Sequence, residues 1–206
     1  MYKIINHPLI KVKLTKMRDK NTDSQNFRRS LLELSQFMTF AVTSDLTTKT
    51  KMVNTPIAKA EGHQLVDKVV LVPILRAGLG MVDGFKIMLP DAAIGHIGLY
   101  RNEKTDDIVQ YYCKMPQDIK GANVIVLDPM LATGHSIDKA ISILQKYKPK
   151  SIRIACVLAT VEGINVITKK YKNIDIYTCS IDKTLTKQKY ISPGLGDAGD
   201  RIFKTK

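Results

Sequence analysis

Val124-Ile125-Val126-Leu127-Asp128-Pro129-Met130-Leu131-Ala132-Thr133-Gly134-His135-Ser136 reads as an apolar strand, an acid at its end, a loop of small residues and the start of a helix. The run at 123–127 is almost entirely apolar, which suits a strand covered on both faces. Beyond the loop, Ile137, Ala140, Ile141 and Leu144 recur at helical spacing, and Pro149 ends the helix. Backbone amides of such a loop, the hydroxyls of Thr133 and Ser136 and the positive end of the helix together make a cradle for a phosphate monoester. The plain alternative is a strand-to-helix turn capped by Ser136. The loop lacks G-x-x-x-x-G-K-[ST], so it is not a Walker-type phosphate loop.

The same pattern recurs on either side. Upstream, residues 68–72 (KVVLV) read as a buried strand and 79–88 as a helix after a glycine-containing turn, so that Val72-Pro73-Ile74-Leu75-Arg76-Ala77-Gly78-Leu79-Gly80 is again strand, turn and helix start. Arg76 beside two small residues would let one guanidinium and exposed amides face a single anion. Further strands are expected at 92–99, 108–113, 152–159 and 174–181, with a helix at 164–171. Phe27, Leu31, Leu34, Met38, Ala41 and Val42 mark a long amphipathic helix, with Thr22 and Gln25 as its capping box. This alternation predicts an α/β fold, a parallel Rossmann-like sheet flanked by helices. The segments 43–61 and 183–206 stand outside the pattern and are expected to form a small hood or flap. In an open sheet of this kind, ligands bind beyond the carboxyl ends of the strands.

Composition narrows the class. With 206 residues, 44% hydrophobic and 25% charged, the chain suits one large soluble domain over 1–206. The first seven residues lack the apolar core of a secretory signal and no run is long enough to span a membrane, which implies a cytoplasmic protein with no membrane partner. Cys113, Cys156 and Cys179 are widely spaced, and their apolar settings predict buried reduced thiols. The formal charge of +13 attracts polyanions. Its lysines are scattered rather than blocked together, however, which favours a solvated surface over a nucleic-acid partner.

An apolar strand, an acid and then Thr133-Gly134-His135-Ser136 is similar to the phosphoribosyl pyrophosphate (PRPP) signature of type I phosphoribosyltransferases. Pro73-Ile74-Leu75-Arg76-Ala77-Gly78, Tyr100-Arg101-Asn102-Glu103, the Asp128 loop and Tyr190-Ile191-Ser192-Pro193-Gly194-Leu195-Gly196-Asp197-Ala198-Gly199-Asp200 follow in one order. Together they resemble the uracil phosphoribosyltransferase family, and the likeness runs from His7-Pro8-Leu9 to the C-terminus. It implies a transferase that joins uracil to PRPP on a type I phosphoribosyltransferase fold, with magnesium bound mainly through PRPP and no protein metal ligands.

The resemblance implies catalytic roles for Arg76, Arg101, Asp128 and Asp197, the arginines on the leaving diphosphate and Asp128 on the ribose hydroxyls. PRPP contacts are implied for Arg76, Ala77, Gly78, Arg101 and Asp197, and for Asp128, Pro129, Met130, Leu131, Ala132, Thr133, Gly134, His135 and Ser136. Uracil is implied to meet Tyr190, Ile191, Gly196, Asp197 and Ala198, chiefly through backbone groups. Tyr190 shapes the pocket mouth or packs on the base, with an ordinary core tyrosine as the plain alternative. In the resembling family the Arg76 loop can hold a non-proline cis peptide, expected here at Arg76-Ala77.

This sequence departs from the family pattern in three places. His135 stands where a second glycine is usual, which implies an extra imidazole donor and an altered pH profile. Prolines near Ile108-Val109-Gln110 are missing, and Val161 replaces a proline before Glu162-Gly163. The resemblance further implies a homo-oligomer, with GTP an effector in some relatives. The chief rival is an RNA-binding pyrimidine regulator on the same fold, which the charge would suit. Asp128-Pro129 in place of two adjacent acids, and the glycine-rich tail, argue against it; the same tail argues against a purine-type enzyme.

Overall fold

The structure is a computed structural model that describes residues 1–102 and 105–205. Along the chain run β1 (Tyr2–Ile4), α1 (Pro8–Arg18), α2 (Ser24–Val42), β2 (Thr48–Asn54), β3 (Lys59–Leu65), β4 (Val69–Leu75), α3 (Leu79–Met88), β5 (Ala93–Ile94), β6 (His96–Arg101) and β7 (Ile108–Lys114). There follow β8 (Asn123–Leu127), β9 (Met130–Leu131), α4 (His135–Gln145), β10 (Ser151–Thr160), α5 (Val161–Lys170), β11 (Asp175–Asp182), β12 (Thr184–Leu185), β13 (Ile191–Ser192) and α6 (Ala198–Phe203). The main sheet has the order β1-β11-β10-β8-β4-β6-β7, parallel except for the β6/β7 pair.

Alternation along the central strands dictates the layers. On β4 and β8, Leu71, Ile125 and Leu127 face α1, α2, α3 and α6, where they pack with Ile10, Phe27, Leu34 and Phe85. Val70, Val72, Val124 and Val126 point the other way, toward Ile137, Ile141 and Leu144 of α4 and Ile164 of α5. Both faces are therefore dry, and each such side chain stabilises the fold by about 1.5–3 kcal/mol when fully buried.

Strand order places the ligand crevice. From β4 the chain continues through α3 to β6 on one side, and from β8 through α4 to β10 on the other. Adjacent strands thus hand over to helices on opposite faces, and the carboxyl ends of β4 and β8 border the point where the winding reverses.

Several local expectations are corrected. The α2 cap is Asp23, whose carboxylate accepts from the Asn26 amide at 2.8 Å; Thr22 instead donates to Lys16 O at 2.6 Å. Asp binds an N-terminal amide as well as Thr does, and it sits one residue nearer the helix. The strand expected at 92–99 is split at Gly95 into β5 and β6. The helix α1 was not anticipated, because lysines interrupt its buried stripe of Ile10, Leu14 and Met17. Segment 43–61 contributes β2 and the start of β3, an antiparallel hairpin that extends to Leu65, and the C-terminal segment supplies the β12/β13 ribbon and α6. Cys156 and Cys179 are buried as expected, but Cys113 is half-buried with its Sγ 3.7 Å from the Tyr147 hydroxyl.

Candidate active site

Three loops converge above the reversal point. After β4, the chain turns tightly enough for the Gly78 amide to donate to Ile74 O at 2.9 Å. A Cβ at Gly78 would lie 2.7 and 2.8 Å from the Ile74 backbone and inside contact distance of Leu127 O, so only glycine lets this turn sit on the end of β8. The Gly78 amide is therefore already engaged, and of the expected amide donors here Ala77 alone has no acceptor among the described residues. The cis peptide lies at Leu75–Arg76, one bond before the expected place. The Arg76 guanidinium pairs with Asp200 at 3.2 Å and donates to the Thr205 hydroxyl at 3.2 Å.

After β8, Asp128 ends the strand and Met130 and Leu131 briefly rejoin the sheet beside β10. Gly134 takes φ 84° and abuts the Gly163 carbonyl, which would lie 2.9 Å from an added Cβ. No described side chain caps α4, so the plain alternative of a turn capped by Ser136 does not hold. The amides of Thr133, Gly134, His135 and Ser136 have no backbone acceptor among the described residues, which leaves a ring of donors at a helix start. Thr160, which the sequence reading overlooked, secures this loop. Its hydroxyl donates to Ala132 O at 2.6 Å and accepts from the Gly163 amide at 2.9 Å. The Thr-x-x-Gly spacing at the end of an apolar strand was the available signal.

The hood closes the third side. Arg18 and Asp182 pair through both nitrogens at 2.7 and 2.5 Å, Arg18 donates to Gly194 O at 2.8 Å, and Asp182 accepts from the Gly194 amide at 2.8 Å. Arg201 lies over the Phe27 ring and donates to Leu195 O at 2.9 Å. The Asp197 carboxylate caps α6 through the Asp200 amide at 2.9 Å. The amides of Gly196 and Ala198 have no acceptor among the described residues.

Two adjoining cavities open between these loops. One, about 150 Å³, is lined by Arg101, Asp128, Thr133, Gly134, Ser136 and Lys189 among others. The next, about 190 Å³, is lined by Ala77, Asp128, Met130, Ala132, Ile191, Gly196, Asp197 and Ala198. Asp128, Lys189 and Tyr190 border both, and Tyr190 also borders a third, of about 400 Å³, with Asp200 and Arg201. Tyr190 is 42% exposed, which decides against the core alternative. Pro129 is buried and His135 exposed, and neither lines these cavities; Arg76 and Gly78, also expected at the site, do not line them either. Glu103 lies outside the described residues. A larger cavity of about 620 Å³ sits at the amino end of β4, beside Val66, Met88 and Asp91, away from all three loops.

Burial pushes the Asp128 carboxyl up to about 7, opposed only in part by the Met130 amide at 3.2 Å. At the rim, Arg101 donates to Thr133 Oγ1 at 3.0 Å and to Asp106 at 2.8 Å, and Lys189 pairs with the other Asp106 oxygen. Lys189 and Arg101 hold the Asp106 carboxyl down to about 2. Asp106 and Lys189 were absent from the residues expected at the site.

A parallel sheet with an acid-ended central strand, an anion cradle after it and a hood across its carboxyl edge defines the type I phosphoribosyltransferase class. A hypoxanthine phosphoribosyltransferase from Trypanosoma cruzi shares that fold, with a TM-score of 0.52 over 77% of this chain and 75% of its own, at 11% identity. The AQ2163 protein from Aquifex aeolicus superposes with a TM-score of 0.95 over 100% of this chain and 99% of that one, at 35% identity. A family model described as uracil phosphoribosyltransferase matches residues 4–205. The uracil phosphoribosyltransferase of Ureaplasma urealyticum serovar 10 is 52% identical over the full length of both chains. This chain belongs to the uracil phosphoribosyltransferase family. Nothing in the fold or in these similarities favours the RNA-binding regulator.

Proposed function

We propose that this chain transfers the 5-phosphoribosyl group of PRPP to N1 of uracil, forming uridine monophosphate and diphosphate. The observation that carries the proposal is the shared cleft: loops that are remote along the chain meet around Asp128 and Tyr190. In this reading the ring of amides at 133–136 and the positive end of α4 receive the 5-phosphate. Asp128 accepts from the ribose hydroxyls. Arg76 and Arg101 take the departing diphosphate, whose loss builds oxocarbenium character at the anomeric carbon. Asp197, fixed as the α6 cap, borders the PRPP side.

Uracil recognition falls to the hood. The amides of Gly196 and Ala198 donate to the carbonyl oxygens of the base, and the Ile191 carbonyl accepts from N3–H. Cytosine lacks that N3–H and carries an amino group instead of O4, so it would leave buried groups unpaired. No side chain is assigned as the base for the N1 proton; positioning and fixed dipoles supply the rate in this reading.

Magnesium suits this cleft as a passenger of PRPP. The polar lining of the cavity at Thr133 offers amides, hydroxyls, Arg101, Lys189 and the single carboxylate of Asp128, no cluster of three His, Cys, Asp or Glu occurs among the described residues, and a hard cation readily keeps water and substrate oxygens. So bound, it would offset charge on the departing diphosphate. The proposal takes 1–206 as one phosphoribosyltransferase domain, assembled as a cytoplasmic homo-oligomer with GTP as effector. Ultracentrifugation with and without GTP tests the assembly and the effector, and cell fractionation tests the location. Among the described residues, no helix is long and apolar enough to cross a membrane.

The direct test is product formation from labelled uracil, PRPP and magnesium by the purified protein. Uridine monophosphate from uracil, and none from cytosine, is the expected result; no product from uracil overturns the proposal.

A further inference from the structure

Lys189 adopts φ 66°, a left-handed backbone that lysine seldom takes and glycine takes freely. Its amide donates to Thr186 O at 2.9 Å, closing the turn between β12 and β13. A residue held in a costly conformation beside a cleft raises the question of what its side chain does there. That side chain borders both of the cavities that meet at Asp128.

The contacts of Lys189 give the answer. Its Nζ pairs with one oxygen of Asp106, and the other oxygen accepts from Arg101 at 2.8 Å. Arg101 in turn donates to Thr133 at 3.0 Å, in the loop whose amides at 133–136 have no backbone acceptor among the described residues. Two cations, one from the end of β6 and one from the hood, thus close on a single carboxylate at the rim of an anion cradle. The Asp106 side chain is 57% exposed, so returning it to water costs little. A diphosphate offers more charge and more acceptor oxygens than a carboxylate, and it makes stronger charge-assisted hydrogen bonds with the same pair.

We infer that Lys189 is a third cation for the substrate diphosphate, and that Asp106 is an internal stand-in which this diphosphate displaces from Lys189 and Arg101. The inference rests on the proposed reaction of this cleft and adds to it a binding residue and a competing acid. Lys189 contributes affinity for PRPP rather than recognition of the base, because the uracil-reading amides belong to Gly196 and Ala198.

The left-handed backbone provides a clean test, since Lys189→Gly removes the charge while relaxing the turn. Titration calorimetry with magnesium and PRPP is expected to show affinity falling roughly tenfold in Lys189→Gly, about one charge-assisted contact. The melting temperature should hold or rise, and the KM for uracil should stay within twofold. Lys189→Arg should restore most of the affinity. Asp106→Asn should bind PRPP about threefold tighter at low salt, the order expected for one exposed competing charge, and lose that gain in the Lys189→Gly background. Affinity in Lys189→Gly within twofold of wild type, or weaker binding in Asp106→Asn, overturns the inference while the proposed reaction stands. A wild-type protein that binds no PRPP removes both.

Discussion

Arg101 Nη2 donates to Thr133 Oγ1 at 3.0 Å, which ties the antiparallel edge of the sheet to the loop beyond β8. The other terminal nitrogen of the same guanidinium serves Asp106 at 2.8 Å. Two donors splayed from one rigid plane hold an orientation that a single ammonium cannot reproduce. Arg101→Lys is therefore expected to lower kcat/KM for PRPP about tenfold while preserving the charge. Initial rates over a PRPP series measure this, and an unchanged value would remove Arg101 from the site.

Asp128 carries its carboxyl at about 7 in the fold, against about 3.8 in an unfolded chain. Between those values the unfolded carboxyl releases its proton and the folded one keeps it. The folded state then binds more protons, so stability falls as pH rises from about 4 to about 7 and levels off above. Asp128→Asn should flatten that slope and raise the melting temperature at pH 8, and, if Asp128 accepts from the ribose hydroxyls as proposed, weaken PRPP binding. Thermal unfolding across pH 5 to 8 is the measurement. A wild-type slope that persists in Asp128→Asn would assign the titration to another group.

Gly78 tests the packing of the first loop on the second. Any side chain there meets backbone atoms of Ile74 and Leu127, which belong to central strands and cannot swing aside. Gly78→Ala is expected to cost about 2–3 kcal/mol in urea unfolding, as overpacking against a rigid neighbour does. It should also lower turnover, because the turn that carries Arg76 must shift. A loss below about 0.5 kcal/mol would show that the two loops are less tightly joined than the geometry requires.

The parallel core was legible in the sequence because the apolar runs read at 68–72 and 123–127 fall on β4 and β8, which are buried on both faces, a pattern that does not depend on partners; that β4 runs on to Leu75 was not legible. Helix α1 was not, since its three buried positions are separated by lysines that reach solvent. The anion cradle was legible because its residues are consecutive. Asp106 and Lys189 escaped notice for the opposite reason: they lie 83 residues apart and meet only when the connection between β6 and β7 and the hood fold onto the same rim. Local reading likewise placed the α2 cap at Thr22, because the competition between Thr22 and Asp23 is settled by where α1 ends.

Arg18 tests the hood from a distance. It makes no part of the cleft lining, yet its bidentate pair with Asp182 and its bond to Gly194 O fix the loop that leads to Gly196 and Ala198. The Asp182 side chain is only 4% exposed, so Arg18→Met would leave a largely buried carboxylate with the Gly194 amide as its remaining strong donor. The loss is expected to be about 2–3 kcal/mol, below the range for a fully buried pair because Arg18 itself touches solvent. If the hood reads the base and the β8 loop holds PRPP, the KM for uracil should rise several-fold while the Kd for PRPP stays within about twofold. Equal effects on both substrates would mean that Arg18 supports the whole cleft. An effect on PRPP alone would reverse the assignment of the two sides.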